Sequence, residues 1–492
     1  MFNSLLGLLG YNPAEPLIFT SGLFLFMFLF FMVVYYALRR QLTPRILFVI
    51  AFSLYFYYKT SGFYFLLLVG LSVSDFTIGH LIKNAVSKHR KKLFLALSIF
   101  INLGILCYFK YTNFLQEIFM QLIDDPFEFQ NIFLPIGISF FTFQSMSYVI
   151  DIYRERITPL TRYMDYLFYV SFFPQLVAGP IVRARDFIPQ IARNPIMVSR
   201  AEFGEGVFLI IGGLFKKAVI SDYISLNFVD RIFDNPTLYT GFENLMGLYG
   251  YALQIYCDFS GYSDMAIGLA LLLGFRFRAN FDSPYKSATI TEFWRRWHIS
   301  LSSWLKDYLY ISLGGNRKGK FRTYLNLIVT MLLGGLWHGA AWRFVIWGGL
   351  HGVSLAVHKA VMSRFPSFKP QGQDMPRWRR IIGIIITFNL VCLGWILFRA
   401  DSLEIAGSML TQIFTSFHPE IAFDFIKGYK WVFVLIVIGY LLHFASANLE
   451  RKTMALVQKM PIVLYAVILT ALIWLIMQMR SGDVQPFIYF QF

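Results

Sequence analysis

"TYLNLIVTMLLGGLWHGAAWRF", residues 323–344, sets the imidazole of His338 in an apolar run that carries no formal charge before Arg343. About 20 apolar residues are what a hydrocarbon core roughly 30 Å thick requires of a helix, so the run reads as a membrane helix. An ionisable side chain in such a helix is costly to keep and is a functional candidate by default. Gly334, Gly335, Gly339, Ala340 and Ala341 surround the histidine. Gly335 and Gly339 form a GxxxG pair, which lets helices approach closely. Neighbours without bulky side chains also suit a narrow channel through which a thin substrate arm reaches a general base. Imidazole, with an unperturbed pKa near 6.5, accepts a proton at neutral pH.

Runs of the same kind recur along the chain. Its 492 residues are 57% hydrophobic, 19% aromatic and only 15% charged, against a charged fraction of about a quarter in soluble domains. The mean hydropathy is +0.56. The clearest runs are 16–38, 93–109, 129–150, 323–342, 381–398, 431–449 and 461–479, with weaker ones near 45–58, 60–74, 163–182, 205–221, 244–257 and 344–358. The expected fold is an all-α polytopic integral membrane protein of roughly 11–13 membrane helices, some short or re-entrant, around a central channel-like chamber. It is expected to form one membrane domain, with N-terminal helices over 1–130, a core over 131–400 and C-terminal helices over 401–492.

The first run is too long for a signal-peptide core and no Lys or Arg precedes it, so it is expected to stay in the mature protein. Cys107, Cys257 and Cys392 are scattered in apolar surroundings and suggest neither a disulfide framework nor a metal cluster. The net charge of +16 comes from basic residues between apolar runs. That placement is the positive-inside bias of a membrane protein and gives no reason to invoke nucleic acid. Basic loops 39–45, 83–92, 276–322, 359–380 and 450–460 are expected to be cytoplasmic. The acidic segment 115–128, the segment 400–430 and both termini are expected outside. The proline-containing region 151–275 does not thread this way.

A second histidine, His298, stands in "FWRRWHISLSSWLKDYLYISLGGNRKGK", residues 293–320. Thr289 and Glu292 have capping-box spacing and Gly314-Gly315 is a natural stop, which predicts one helix of about twenty residues. On its wheel Trp294, Trp297, Leu301, Trp304, Leu305 and Tyr308 share a face, with His298 near the edge. Arg295, Arg296, Ser303, Lys306 and Asp307 lie on the other side, the pattern of an interfacial helix. Anchoring to the membrane surface accounts for the aromatic and basic residues but not for His298, which needs a partner or a role. Neither histidine sits in a zinc signature, and there is no GxSxG elbow, so metal hydrolysis and a self-contained serine hydrolase lack support. His351 and His358, seven apart on the next helix, could line the same interior, although His358 beside Lys359 also suits the membrane edge.

Together, "FWRRWHISLSSWLKDYLYISLGGNRKG" and "LLGGLWHGAAWRFVIWGGLHG" resemble the membrane-bound O-acyltransferase family, in the branch of bacterial alginate O-acetyltransferases and related polysaccharide acyltransferases. Supporting stretches are "LPIGISFFTFQSMSYVIDIYR" (134–154), "VAGPIVRARDFIPQI" (177–191), "YCDFSGYSDMAIGLALLLGF" (256–275), "WILFRA" (395–400) and the tail "FIYFQF" (487–492). The resemblance covers most of the chain from about 130 onward. It implies a thin central region opened from both sides, His338 of the WHG motif as the central catalytic candidate, and His298 of the RWH motif as a second essential residue.

The reaction this implies moves a short acyl group, acetyl by expectation, from a cytoplasmic thioester such as acetyl-CoA or an acyl carrier to an extracytoplasmic polysaccharide hydroxyl. His338 would be the general base, and His298 would position the donor or share the proton relay. Trp294, Arg296, Asp258, Tyr262, Asn316, Arg317 and Trp337 are the donor- or channel-lining candidates, with helix-to-helix hydrogen bonding as the plainer reading of Asp258, Tyr262 and Asp264. Arg295, Arg296, Lys306, Arg317, Lys318 and Lys320 would favour an anionic donor, and positive-inside topology explains them equally well. No metal or permanently bound cofactor is expected. A periplasmic hydrolase-like partner is expected, as is location in a bacterial cytoplasmic (inner) membrane. Competing readings are D-alanyl transfer to teichoic acid from a carrier protein, a polysaccharide transporter, and a non-catalytic scaffold of a synthase complex.

Overall fold

A helix that lies in lipid has no need of a polar outer face, and α1 (Gly22–Ala37) is built accordingly. Phe24, Phe28, Phe31 and Tyr35, at helical spacing, are buried. The opposite side is equally apolar, with Phe26 77% and Phe30 70% exposed. The buried stripe enters an aromatic cluster in which the rings of Phe31 and Phe52 are 4.4 Å apart and Phe173 meets Phe31 edge-on at 5.5 Å. Edge and offset ring pairs of this kind add to the area they bury.

The computed structural model describes residues 9–13, 15–365, 376–479 and 487–488. The regular structure of the described residues is helical, with no strand among them. Among the described residues, five helical runs are long and apolar enough to cross a membrane: Leu42–Asn84, Lys88–Ile123, Trp342–Arg364, Arg377–Arg399 and Ile462–Met479. A sixth arises if Pro419–Gly428 and Lys430–Phe444, bent by 96°, count as one broken span. The protein is therefore a multi-pass membrane protein. The run Leu42–Asn84 consists of α2 (Leu42–Ser61) and α3 (Phe65–Asn84), parted at Gly62, whose φ of 62° lies in the left-handed region.

Some expected spans are different objects. The run 129–150 is irregular up to Gly137 and only then becomes α4 (Ile138–Tyr153), 16 residues or about 24 Å long. Every residue from Ile138 to Ile152 is buried, so this helix faces protein on all sides. Pro135 delays its start, and Gly137, with φ 79°, lies where an added Cβ would come within 2.6 Å of the Leu176 carbonyl oxygen. In such helices apolar sequence reports burial in protein as readily as exposure to lipid.

The described chain divides into two compact units. One comprises Met1–Ile210 with Met265–Arg278, and the other Ile211–Asp264 with Ala279–Phe490. In the first, the Tyr35 hydroxyl donates to the Leu273 carbonyl at 2.6 Å, and buried Arg45 donates to the carbonyls of Arg39 and Arg193. The second holds both motif histidines and is built on α5 (Ile290–Arg296), α6 (Ile299–Trp304), α7 (Gly319–His338), α8 (Trp342–Arg364) and α9 (Arg377–Arg399).

Helices α7 and α8 pack backbone to backbone. An added Cβ at Gly335 would fall on the Phe344 carbonyl oxygen, and one at Gly348 on the Met331 carbonyl oxygen. Close approach by small residues is how helices associate where water supplies no driving force. The partner of Gly335 is Gly348 on α8. Gly339 instead ends α7, in extended conformation against the ring of Phe344. Arg343, part-buried at the turn, donates to the Phe398 and Ala400 carbonyls at the end of α9.

Candidate active site

The predicted twenty-residue helix around His298 is broken. Thr289 caps α5 by accepting from the Glu292 amide at 3.1 Å, and the Glu292 carboxylate in turn accepts from the Ala288 amide. After Arg296 the chain extends at Trp297, and His298 takes φ 42°, ψ 56°, before α6 begins. A left-handed residue other than Gly is strained and persists only when its surroundings hold it. The holder is Asn280. Its Oδ1 lies 3.2 Å from His298 Nδ1 and accepts from Ser300 N and Oγ at 3.1 and 2.9 Å. Its own amide donates to Ser263 Oγ at 3.1 Å, and its backbone carbonyl accepts from the Ile299 amide at 2.8 Å. One asparagine thus fixes the kink and orients the imidazole.

The broken helix keeps His298 fully inside, 0% exposed, with the Phe259 ring edge-on at 4.6 Å. Burial pushes its pKa down to about 3, so the ring is neutral at physiological pH. His338 ends α7 and is 3% exposed. Trp337 contacts both: its ring centroid is 6.1 Å from that of His298 and 5.0 Å from that of His338. Trp347 and Phe398 close on His338 from other sides, at 5.1 and 5.3 Å. The arrangement encloses two imidazoles in an aromatic wall. Aromatic walls exclude water, and a neutral imidazole held there can take a proton from a hydroxyl.

The other candidates divide. Trp294 packs on Trp347 and His351, at 5.8 and 5.1 Å between ring centroids. Asp258 is in a buried ion pair with Lys217 at 2.5 Å and also accepts from the Ile488 amide. The Tyr262 ring meets that of Phe487 at a tilt, 4.9 Å between centroids, so the described part of the tail lies against this segment, while residues 489–492 lie outside the described residues. Asp264 pairs with Lys216 at 2.6 Å. Arg296 is held by Glu292 and Asp282, at 3.1 and 2.9 Å, which makes it a brace of the kink. The Asn316 side chain accepts from Tyr310 and Lys359, each at 2.5 Å, tying its loop to α8, and Arg317 is exposed. His358 bonds Thr291 Oγ1 at 2.9 Å, while His351 joins the aromatic wall.

Two functional-looking residues escaped the sequence reading. Asn280 sits in a short polar segment, "RANFDSPY", that carries no motif, so no local signal could have singled it out. Lys217 did carry a signal, a charge at the end of the apolar run 205–221. It stands in a π-helical segment, Phe215–Ser221, where it pairs with Asp222 as well as Asp258. Among the described residues no group of three or more His, Cys, Asp or Glu could hold a metal ion.

Comparison with known proteins bears directly on this site. The membrane-bound O-acyltransferase family matches residues 154–398, which include both histidine motifs. The chain is 38% identical to a probable alginate O-acetylase of Pseudomonas putida, over 97% of this chain and 100% of that one. It is 42% identical to a probable alginate O-acetylase of Pseudomonas aeruginosa, over 81% of this chain and 75% of that one. It is also 40% identical to a peptidoglycan O-acetyltransferase of Helicobacter pylori, over 80% of this chain and 79% of that one. Matched through the core that carries the paired histidines, and along nearly its whole length in one relative, this multi-pass chain is an O-acyltransferase and belongs to the membrane-bound O-acyltransferase family.

Proposed function

We propose that the protein takes an acetyl group from a cytoplasmic thioester and delivers it for O-acylation of an extracytoplasmic polysaccharide. The observation that carries the reading is the pair of buried motif histidines that both contact the Trp337 indole, one of them fixed in a strained backbone by Asn280. His338 serves as general base toward the attacking hydroxyl. The oxygen forms a bond to the acyl carbon, and the thiolate leaves with the proton His338 has taken. His298, neutral and buried, orients the donor or passes the proton. An acceptor of the polysaccharide class agrees with the alginate and peptidoglycan named for the relatives.

The exposed basic residues Arg295, Lys306, Arg317 and Lys318 support a cytoplasmic face for the donor. With that face inside, location in the cytoplasmic membrane and an outward direction of transfer follow. A periplasmic hydrolase-like partner is part of the proposal, because the acceptor is expected on the far side of the membrane. The test is acetyl transfer from a labelled thioester to a polysaccharide by the purified protein in proteoliposomes, with and without such a partner. Label appearing on the acceptor supports the reading. No thioester-dependent transfer, even with a partner supplied, contradicts it.

A further inference from the structure

A groove of about 570 Å³ lies between α8 and α9, over the start of α5. Ala288 and Ile290, both buried, form its floor. Its rims are Val353 and Val357 of α8 and Ile382 and Ile386 of α9, which are 48 to 63% exposed. Residues four apart share a helix face, so each rim is one row of a single helix. The floor is fixed to both walls. Thr291 of α5 is hydrogen-bonded to His358 of α8 at 2.9 Å, and a Cβ added at Gly383 of α9 would come within 2.6 Å of the Ala288 carbonyl oxygen. The groove is therefore built into the packing of three helices, with an apolar lining open toward the membrane.

Length and charge select what fills it. Arg379 and Leu390 of α9 both line the groove. The rise between them is about 16 Å at 1.5 Å per residue. That is close to half of a hydrocarbon core roughly 30 Å thick, so the groove runs the depth of one leaflet. Its outer end is marked by Trp378, 66% exposed, a side chain suited to headgroup level. The same turn carries Arg377, Arg379 and Arg380. Glu292, the nearby carboxylate, is already shared by Arg296 and Arg380, at 3.1 and 3.6 Å. The headgroup end thus keeps an excess of positive charge, while everything below it is apolar apart from hydroxyls and the His358 ring.

We propose that the groove binds one anionic phospholipid of the surrounding membrane, with its phosphate at Arg377 and Arg379 and one acyl chain laid between α8 and α9 on Ala288 and Ile290. This goes beyond acyl transfer and does not rest on it. The chain fills a space whose walls would otherwise lack contacts on one side. It also buttresses the start of α5, the short helix that leads into the kink at His298.

The test uses phosphatidylglycerol carrying a photoactivatable diazirine in its acyl chain, added to proteoliposomes of phosphatidylcholine, with the labelled peptides mapped by mass spectrometry. Labelling of 353–362 and 382–390 should saturate and be displaced by unlabelled phosphatidylglycerol. The exposed face of α1, at Phe26 and Phe30, should label only in proportion to bulk lipid. Ile386→Trp, which plugs the groove from its exposed rim, should cut the saturable labelling at least about tenfold. Arg379→Gln should weaken phosphatidylglycerol about fivefold, the worth of one basic residue beside an anionic headgroup, and leave a phosphatidylcholine probe unchanged. Should a variant fail to fold, the wild-type map decides. Labelling of the groove that rises linearly like that of α1 means ordinary lipid contact and overturns the site. Exclusion of label from both walls means that another polypeptide or chain segment covers them, and overturns it too. Equal displacement by phosphatidylcholine and phosphatidylglycerol overturns the anionic headgroup. None of these outcomes depends on acyl transfer, so the proposed function stands or falls separately.

Discussion

The hairpin of α7 and α8 carries His338 at the end of twenty residues of regular helix, whereas His298 stands between helices of seven and six residues. In the hairpin the geometry is set by backbone contact at glycines spaced for a helix. Around His298 it is set by side chains that reach across the chain: Asn280, eighteen positions away, and Asp282, which braces Arg296. The first region fixes its histidine by shape and the second by polar cross-links. The two should therefore fail differently when broken.

Gly348→Leu is expected to have the largest effect. The new side chain meets the Met331 carbonyl, a backbone group that cannot rotate away, so the hairpin must part at a cost of several kcal/mol. Loss of folded protein after detergent extraction checks this, and a wild-type yield would show that the backbones do not meet there. On the other side, Asn280→Ala should leave the protein folded but release the kink. Deleting one partner of buried hydrogen bonds costs about 1–3 kcal/mol. Small misplacements of a site residue can cost about 10²-fold in rate. The expected outcome is a modestly lower thermal midpoint with acyl transfer reduced by about that factor, measured on the same preparation.

His298→Asn sharpens the contrast further. Asparagine tolerates the left-handed backbone, so the fold should survive while transfer falls. A variant that neither folds nor inserts would show that the imidazole supports the fold itself. The smallest effect belongs to the exposed charges. Neutralising Arg295, Lys306, Arg317 and Lys318 should raise the donor KM a fewfold at low salt and converge on wild type at high salt, because exposed charges are screened over about 8 Å at physiological ionic strength. A KM that ignores both charge and salt would make these residues topology determinants only.

The hairpin was legible because its signals are local: an apolar run of membrane length, helical glycine spacing and an imidazole that such a run does not otherwise tolerate. Even there only one glycine of the pair serves helix packing, since Gly335 meets Gly348 on α8 and Gly339 ends the helix. The helix around His298 was not legible. Its capping box was read correctly and its aromatic face is buried, but periodicity continues through a break that costs only one residue's backbone strain. The compensation for that strain comes from Asn280, whose position in space no sequence pattern announces. The buried helix Ile138–Tyr153 teaches the complementary lesson, because hydropathy cannot separate a core helix from a lipid-facing one. The ion pairs of Lys216 and Lys217 were missed because partners about forty to fifty residues apart on different helices leave no local pattern in the sequence.

The central claim is that His338 does chemistry in a site the fold builds without needing its imidazole. The direct measurement is single-turnover acyl transfer from a labelled acetyl thioester by reconstituted His338→Gln protein, alongside its thermal midpoint. The account predicts a rate lower by about 10²–10⁴-fold, the usual worth of a general base, with the midpoint close to that of the wild type. A folded His338→Gln protein that transfers the acetyl group within threefold of the wild-type rate would contradict it.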